Sequence, residues 1–338
     1  MPRVFLAKWA RRLLAGAAVA YPLLLVGAIG TLRSVGESWW VTLVALYLPR
    51  WGFALPLPAL LLALWRCRMR RLLLLQGLSA LVLVFPLMGY VVRLPTFASR
   101  DKPKMRVLSF NVNSSAAAEA VLGEIDRYSP DVVLLVETGG HRGREAFGDP
   151  LRSRYPTVEI SHNFILATRY TPSPEEGPLL ATDSFERHPL ETPLGRIVVY
   201  VAHTVSPRHP LFALRGRKGL LREMKSPHPS PLEQNAEMRA EQVQAFSEAA
   251  AREADPVILA GDFNLPGLSP LFQRFLSSFD DGFAEAGWGF GYTFPTRGPW
   301  MRIDRILARG PLRFVGFDVG HSSSASDHLC VVGDIQRI

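Results

Sequence analysis

Apolar residues are arranged in two different ways along this chain, and the change falls near residue 100. Before it the apolar runs are long. Leu13–Leu32 is an uncharged stretch of 20 residues, close to the ~20 that a helix needs to cross the hydrocarbon core of a bilayer. A second run, Leu72–Val92, is interrupted only by Gln76, Gly77 and Pro86, which spanning helices tolerate. Between them Val41–Leu64 is apolar except for Arg50, beside Pro49. An Arg at mid-span costs roughly 2.5–3.5 kcal/mol on insertion scales, so this segment is expected to kink or tilt, with Arg50 snorkelling or facing a neighbouring helix. The first run is longer than the roughly 7–15 residues of a signal-peptide core and shows no A-x-A cleavage site, which predicts an uncleaved span. The expectation is three spans, with Trp39, Trp40, Trp51 and Trp65 as interfacial anchors.

Beyond residue 104 the runs shorten to strand length. Met105–Phe110, Val132–Val136, Asn163–Arg169, Ile197–Ala202, Ile303–Ala308, Phe314–Val319 and Leu329–Ile335 read as strands, and so does the apolar start of Pro256–Pro266, PVILAGDFNLP. Helical spacing covers Ala116–Tyr128, with Ser115 as its expected N-cap and Glu119 in its first turn, and Leu232–Arg252; Ser269 is expected to cap a helix running to Phe279. The pattern predicts a membrane domain over 1–95, a polar linker over 96–104 and a globular α/β domain over 105–338. A Pro- and Glu-rich loop at Thr171–Pro178 and a long basic insertion at Val205–Pro231 interrupt it. For the insertion, a solvated loop without fixed structure is the default expectation, with a lid or a phosphate-steering patch as the alternative.

Charge sharpens this division. The chain of 338 residues carries a net +8 with 48% hydrophobic residues. Through Arg100 there are 12 Lys and Arg against the single acid Glu37, whereas from Asp101 onward 26 face 29 Asp and Glu. The basic character therefore belongs to the first hundred residues and is no nucleic-acid footprint of the globular domain. Basic residues cluster before the first apolar run and at Arg66–Arg71, with only Arg33 after the first run. By the positive-inside rule both clusters are cytoplasmic, so the third span delivers the rest of the chain to the outer face. Arg93, Arg100, Lys102 and Lys104 argue mildly the other way. Two cysteines, Cys67 and Cys330, exclude a disulfide framework and a thiolate metal site.

The chemistry sits at the ends of the short runs. Separate strands deliver Asn111, Glu137, His203, and Asp262 with Asn264, while Asp327 and His328 stand just ahead of the last strand. Asp262 and Asn264, two apart on an extended backbone, share one side. Any one of these residues is more often a turn former than a ligand; their convergence points to a site. Oxygen ligands without thiolates suit a hard cation such as Mg²⁺. No Gly-x-Ser-x-Gly elbow and no P-loop is present.

In order, FNVN at Phe110–Asn113, Glu137 of LLVET, AHTVSP around His203, GDFN at Gly261–Asn264, RIDRIL at Arg302–Leu307 and SDH at Ser326–His328 resemble the endonuclease/exonuclease/phosphatase superfamily, whose members look like deoxyribonuclease I. The resemblance spans about residues 104 to 338. It implies a four-layer αββα sandwich with two packed, largely antiparallel sheets, and metal-dependent cleavage of a phosphate ester. The whole chain resembles a bacterial membrane-anchored branch in which a few spans precede this domain.

By resemblance, Glu137 with Asn111 would hold Mg²⁺, or alternatively Mn²⁺. His328 would activate or orient the attacking water, with Asp327 or Asp304 fixing its tautomer. Asp262 would position the nucleophile, Asn264 would donate to a non-bridging oxygen, and His203 would stabilise charge at phosphorus or assist the leaving group. One or two metals, and the division of acid and base between the histidines, stay open. Arg169 in ATRYTP is a weaker candidate for substrate contact, and His141, His162, His188, His209, His228 and His321 are read as surface or loop residues. The expected partners are a lipid bilayer and a phosphate ester, whether phospholipid, small molecule or nucleic acid, with no obligate protein partner. The functional expectation is a Mg²⁺-dependent phosphoesterase of an inner or cell membrane. A nuclease is the alternative, and a non-catalytic membrane scaffold is the reading from another class.

Overall fold

The structure is a computed structural model and describes residues 2–92, 102–115, 117–174, 182–321 and 324–338. Residues 96–101 of the expected linker, Arg93, and 175–178 of the Pro- and Glu-rich loop lie outside the described residues. The chain divides into two compact units, Met1–Tyr90 with Leu268–Pro270, and Val91–Gly267 with Leu271–Ile338.

The first unit holds α1 (Pro2–Ser34), α2 (Trp40–Tyr47), α3 (Pro56–Arg66) and α4 (Arg70–Val82), which runs on through a π turn at Leu83–Leu87. Lys8–Ser34 and Arg70–Leu87 are long and apolar enough to cross a membrane. A third span is present if α2 and Arg50–Arg66, bent by 87° at their junction, are counted as one. The bend has a local cause: Pro49 forces Leu48 into an extended conformation, which ends α2. Arg50 is buried, and its Nη1 donates to the Leu87 carbonyl at 3.2 Å, so the cation faces the segment beyond α4. Gln76, the polar break in the last apolar run, donates to the Ala18 carbonyl at 2.7 Å.

The second unit follows, in chain order, as β1 (Lys104–Asn111), α5 (Ala118–Tyr128), β2 (Val132–Val136), α6 (His141–Arg152), β3 (Thr157–Ile160), β4 (Phe164–Thr168), β5 (Thr171–Pro172), β6 (Phe185–Thr192) and β7 (Gly195–His203). Then come α7 (Arg208–Ala213), α8 (Gly216–Met224), α9 (Pro231–Ala251), β8 (Val257–Asp262), α10 (Pro270–Leu276), β9 (Asp280–Asp281), α11 (Gly282–Ala286), β10 (Asp304–Arg309), β11 (Leu312–Val319) and β12 (Val331–Arg337). Two six-stranded sheets form, ordered β11-β12-β1-β2-β4-β3 and β5-β6-β7-β8-β10-β9. Pairing is antiparallel except for β1 with β2 and β7 with β8.

Alternation along each strand assigns the layers. Val107, Leu134, Val199, Val201 and Ile258 join the core between the sheets. Their neighbours Leu108, Val133 and Leu135 pack outward against α5 and α6, while Val198, Tyr200 and Leu259 pack outward against α9. Both faces of the central strands are therefore covered, which is why they read as unbroken apolar runs. The result is the expected four-layer α/β sandwich.

Several elements depart from the sequence reading. Helix α5 starts at Ala118, behind Ala117, which makes no side-chain cap; Ser115 belongs to a 3₁₀ turn at Asn113–Ser115 instead. Strands β3 and β6 and helices α6 and α11 were not legible. The sequence of α6 contains Gly143, Gly148 and Pro150, and that of β6 carries Pro189 among charges. The basic insertion is ordered as α7 and α8. Side chains of α9 fix its start, since Gln242 accepts the Val205 N–H at 2.7 Å and Arg239 donates to the Val205 carbonyl at 3.1 Å. Helix α9 itself opens with a capping box, Ser230 with Glu233, and Pro231 in its first turn.

Candidate active site

Strand register gathers the candidate residues. Within the second sheet His203 is the parallel partner of Asp262, and Asp262 is the antiparallel partner of Asp304, so three adjacent strands place a histidine and two aspartates in one row. In the first sheet Asn111 pairs with Val136, which puts Glu137 one residue beyond the end of β2. Two turns aim the ends. Glu137 and Asn264 adopt left-handed backbone conformations, with φ of 54° and 49°. Asn tolerates that region; Glu is strained there, as residues at functional sites often are. Gly261 is required by close approach: a Cβ there would collide with the Ala202 carbonyl oxygen of β7.

A continuous chain of contacts links the set. Asn111 is buried, and its Nδ2 donates to Glu137 Oε1 at 2.9 Å and to Asp262 Oδ2 at 3.1 Å, while its Oδ1 accepts the Asn113 N–H. His203 Nε2 lies 3.1 Å from Glu137 Oε1 as an ion pair off the hydrogen-bond axis. Asp262 Oδ1 accepts the Asn264 N–H at 2.9 Å, and the Asn264 amide donates to the Thr204 carbonyl at 3.0 Å. His328, also buried, presents Nδ1 to Asp304 Oδ2 at 2.9 Å, and its Nε2 lies 3.8 Å from Asp262 Oδ2. The Phe294 ring closes one side of the imidazole, 4.6 Å between centroids.

Electrostatics follow from this crowding. Burial opposes ionisation of Glu137, but His203 and then Asn111 outweigh it and hold the carboxyl at about 2. Burial and the facing Asp304 charge raise the Asp262 carboxyl. For His328 burial works against the imidazolium, yet Asp304 and Asp262 push its pKa up to about 9. His203 is likewise raised, its burial outweighed by Glu137 and Asp262. At neutral pH His328 is therefore cationic, a counter-ion to the carboxylates around it.

Asp327 stands apart from this chain. Its Oδ2 pairs with Arg208 Nη2 at 2.6 Å, and the Arg208 guanidinium also lies over the Phe294 ring. The residue against His328 Nδ1 is Asp304. Behind Asp304, Asp281 binds Arg302 at 2.8 Å and Arg305 at 2.7 Å in a buried cluster; attraction to both arginines outweighs burial and lowers the Asp281 carboxyl. The RIDRIL motif held both arginines, but nothing in the sequence pointed to Asp281 as their partner. Arg169 is not at the site. It lies 4.0 Å from Asp131, ahead of β2 and at the opposite end of that strand from Glu137. Among the six unassigned histidines, five are exposed. His188 is not: it is buried on β6, with Nδ1 2.8 Å from Glu159 of β3 and Nε2 3.4 Å from Glu186. A cleft of about 380 Å³ adjoins the site, lined by Asn113, Thr296, Arg297, Ser326 and Asp327 among others.

Comparison with known proteins assigns the chain to a family. The profile of the Endonuclease/Exonuclease/phosphatase family matches residues 108–328, and the chain belongs to that family. Among solved structures it is similar to an endonuclease/exonuclease/phosphatase from Beutenbergia cavernae DSM 12333, with 19% identity, TM-score 0.48, and coverage of 69% of this chain and 72% of that one. It is also similar to a humanized D. rerio TDP2, with 16% identity, TM-score 0.49, and coverage of 69% and 99%. A third is a 3' phosphatase NExo from Neisseria bound to product DNA hairpin, with 16% identity, TM-score 0.49, and coverage of 68% and 98%. No curated protein sequence matches the chain.

Proposed function

We propose that the chain is a membrane-anchored, Mg²⁺-dependent phosphoesterase that hydrolyses a phospholipid head group or another small phosphate ester by attack of water at phosphorus. The observation that carries this reading is the unbroken contact chain from His203 through Glu137, Asn111 and Asp262 to His328 and Asp304. The family is one of phosphoester hydrolases. The apolar helices of the first unit favour anchoring, and the charge asymmetry of their flanks favours an extracytoplasmic catalytic unit.

The residues fit a divalent cation. Ligand atoms of Glu137, His203 and Asp262 lie within 4.8 Å of one another, and so do those of Asp262, Asp304 and His328. The carboxylates are hard oxygen donors suited to Mg²⁺ or Mn²⁺. His203 Nε2 is buried beside Glu137 without an aligned hydrogen bond. Glu137, with Asn111 beside it, would hold the ion; Asn111 would need its amide turned, because Nδ2 rather than Oδ1 faces the carboxylates. The bound ion would neutralise charge on the phosphoryl oxygens.

The protein's own groups divide the proton transfers. Asp262, fixed by Asn264 and Asn111 and more basic than an ordinary carboxylate, accepts the proton of the attacking water. Asp304 holds the His328 ring so that Nε2 faces Asp262, and the imidazolium balances the charge that develops there. Asn264 offers its second amide hydrogen to a non-bridging oxygen. His203, protonated, gives its proton to the leaving oxygen.

A chromogenic phosphodiester assayed with Mg²⁺, with EDTA, and with Glu137→Ala and His328→Ala variants of the full chain tests the reading. Hydrolysis should be abolished by EDTA, restored by Mg²⁺, and reduced by on the order of 10²–10⁴ in either variant. Equal inertness of wild type and variants across several metals would overturn it in favour of a scaffold. Turnover of DNA but of no phospholipid would favour the nuclease.

A further inference from the structure

The insertion that follows His203 carries a surface unlike the rest of its domain. Between 208 and 225 there are six Lys and Arg, namely Arg208, Arg215, Arg217, Lys218, Arg222 and Lys225, against the single acid Glu223. The remainder of the chain from Asp101 on has 20 Lys and Arg against 28 Asp and Glu. All of these cations except Arg208 are exposed. So are four large apolar side chains, Phe212, Leu220, Leu221 and Met224, which are 40–60% accessible.

Their placement follows from helical geometry. On α8, Leu220, Leu221 and Met224 fall on one stripe, with Arg217 at its N-terminal end, Lys218 along one flank and Arg222 further round the helix. Gly219 and Glu223 lie away from the centre of the stripe. Glu223 is buried, and a Cβ on Gly219 would collide with the Ala213 carbonyl, so α8 rests closely on the end of α7. On α7 the exposed Phe212 ring lies 4.1 Å from the Arg215 guanidinium. The apolar stripe is therefore exposed on a side of α8 not used for its contact with α7, with Arg217 and Lys218 at its border.

We propose that α7 and α8 form a docking element for an anionic lipid bilayer surface. An exposed apolar stripe with a basic border is what a helix lying in the head-group region needs: apolar side chains enter the acyl boundary while Lys and Arg meet lipid phosphates. Charge complementarity fits a nucleic acid as well, but a polyanion gives three aliphatic side chains no apolar partner. At its base the element begins with Arg208, whose contact with Asp327 lies one residue from His328. Docking is thus joined to one wall of the catalytic site. The proposal does not depend on the chemistry assigned to that site, because binding is read without turnover.

The test uses the full chain in phosphatidylcholine nanodiscs, with Leu220→Cys carrying an environment-sensitive fluorophore in a Cys67→Ser background; Cys330 is buried and stays unlabelled. Adding phosphatidylglycerol vesicles, or including that lipid in the disc, should shift the emission to the blue and make it quenchable by brominated acyl chains; neutral vesicles should not. High salt should weaken the response. Arg215→Glu, Arg217→Glu, Lys218→Glu and Arg222→Glu together should reduce binding by on the order of a hundredfold, with circular dichroism as the check on folding. Should that variant misfold, the comparison of anionic with neutral lipid in the labelled chain still decides. A probe that stays water-exposed with every lipid overturns the proposal. A blue shift given by an oligonucleotide instead, or by raising protein concentration without anionic lipid, overturns it too and assigns the surface to nucleic acid or to a second copy.

Discussion

Replacing Asp304 by Asn isolates the part of the site that acts through another residue. The side chain keeps its shape and loses its charge. Both Asp304 oxygens lie near His328 Nδ1, at 2.9 and 3.2 Å, and both residues are buried, so solvent cannot replace the interaction. A hydrogen bond to a charged group contributes about 1.5–3 kcal/mol, which corresponds to roughly 10–150-fold in rate. An Asn that turns its NH₂ toward Nδ1 would also disfavour the proton there and so the imidazolium itself. The expected result is a kcat lowered by roughly 10–150-fold with a much smaller change in KM. The pH profile supplies the second readout. Asp304 is the strongest of the groups that raise the His328 pKa to about 9, so its loss should move the alkaline limb of the profile to lower pH. Steady-state hydrolysis of a soluble phosphodiester across the neutral and alkaline range measures both. A kcat close to wild type and an unmoved alkaline limb would refute the assignment of His328 as a cation oriented by Asp304.

Gly261→Ala should destabilise the catalytic unit by about 3 kcal/mol or more, since the collision is with backbone and φ is +147°; an unchanged denaturation midpoint would show that β7 can yield. His188 gives a pH signature away from the site. Burial opposes its charge, but Glu159 and Glu186 outweigh this and raise its pKa above 6.5, and the same contact lowers Glu159 below 4.5. The His188 contribution is therefore complete below about pH 6.5 and is lost as pH rises through the folded value, while the Glu159 contribution is lost as pH falls through its depressed one. Urea denaturation at about pH 5, 6.5 and 8 should show a stability advantage over His188→Gln that shrinks toward the alkaline end, and a constant difference would exclude the ion pair as its source.

How much of this was legible depended on what kind of contact made each feature. Buried strands such as Val132–Val136 and Ile197–Ala202 announce themselves because apolar residues are needed on both faces, and turn residues at their ends then mark the site. Partnership across strands leaves no such trace. That Asp304 rather than Asp327 meets His328 follows from its register opposite Asp262, which no local pattern encodes. His188 looked like a loop residue because β6 reads as FERHPLET, polar and broken by Pro189, although His188 is buried with the carboxylates of Glu159 and Glu186 as its ion-pair partners. Asp281 was equally silent, since its role is fixed by arginines more than twenty residues away.

The insertion shows the same limit from the other side. Its composition, basic and rich in proline, reads as a solvated loop, and composition alone would leave it so. What orders it is external: Gln242 and Arg239 of α9 hold Val205 at its entry, and Asp327 receives Arg208 at the first turn of α7. The anchored residues, Val205 and Arg208, follow closely on His203 at the end of β7. An element positioned by the catalytic framework at its base and left with apolar and cationic side chains at its tip can report what it touches to the site. A loop of the same composition, held only at its two ends, would have no means of doing so.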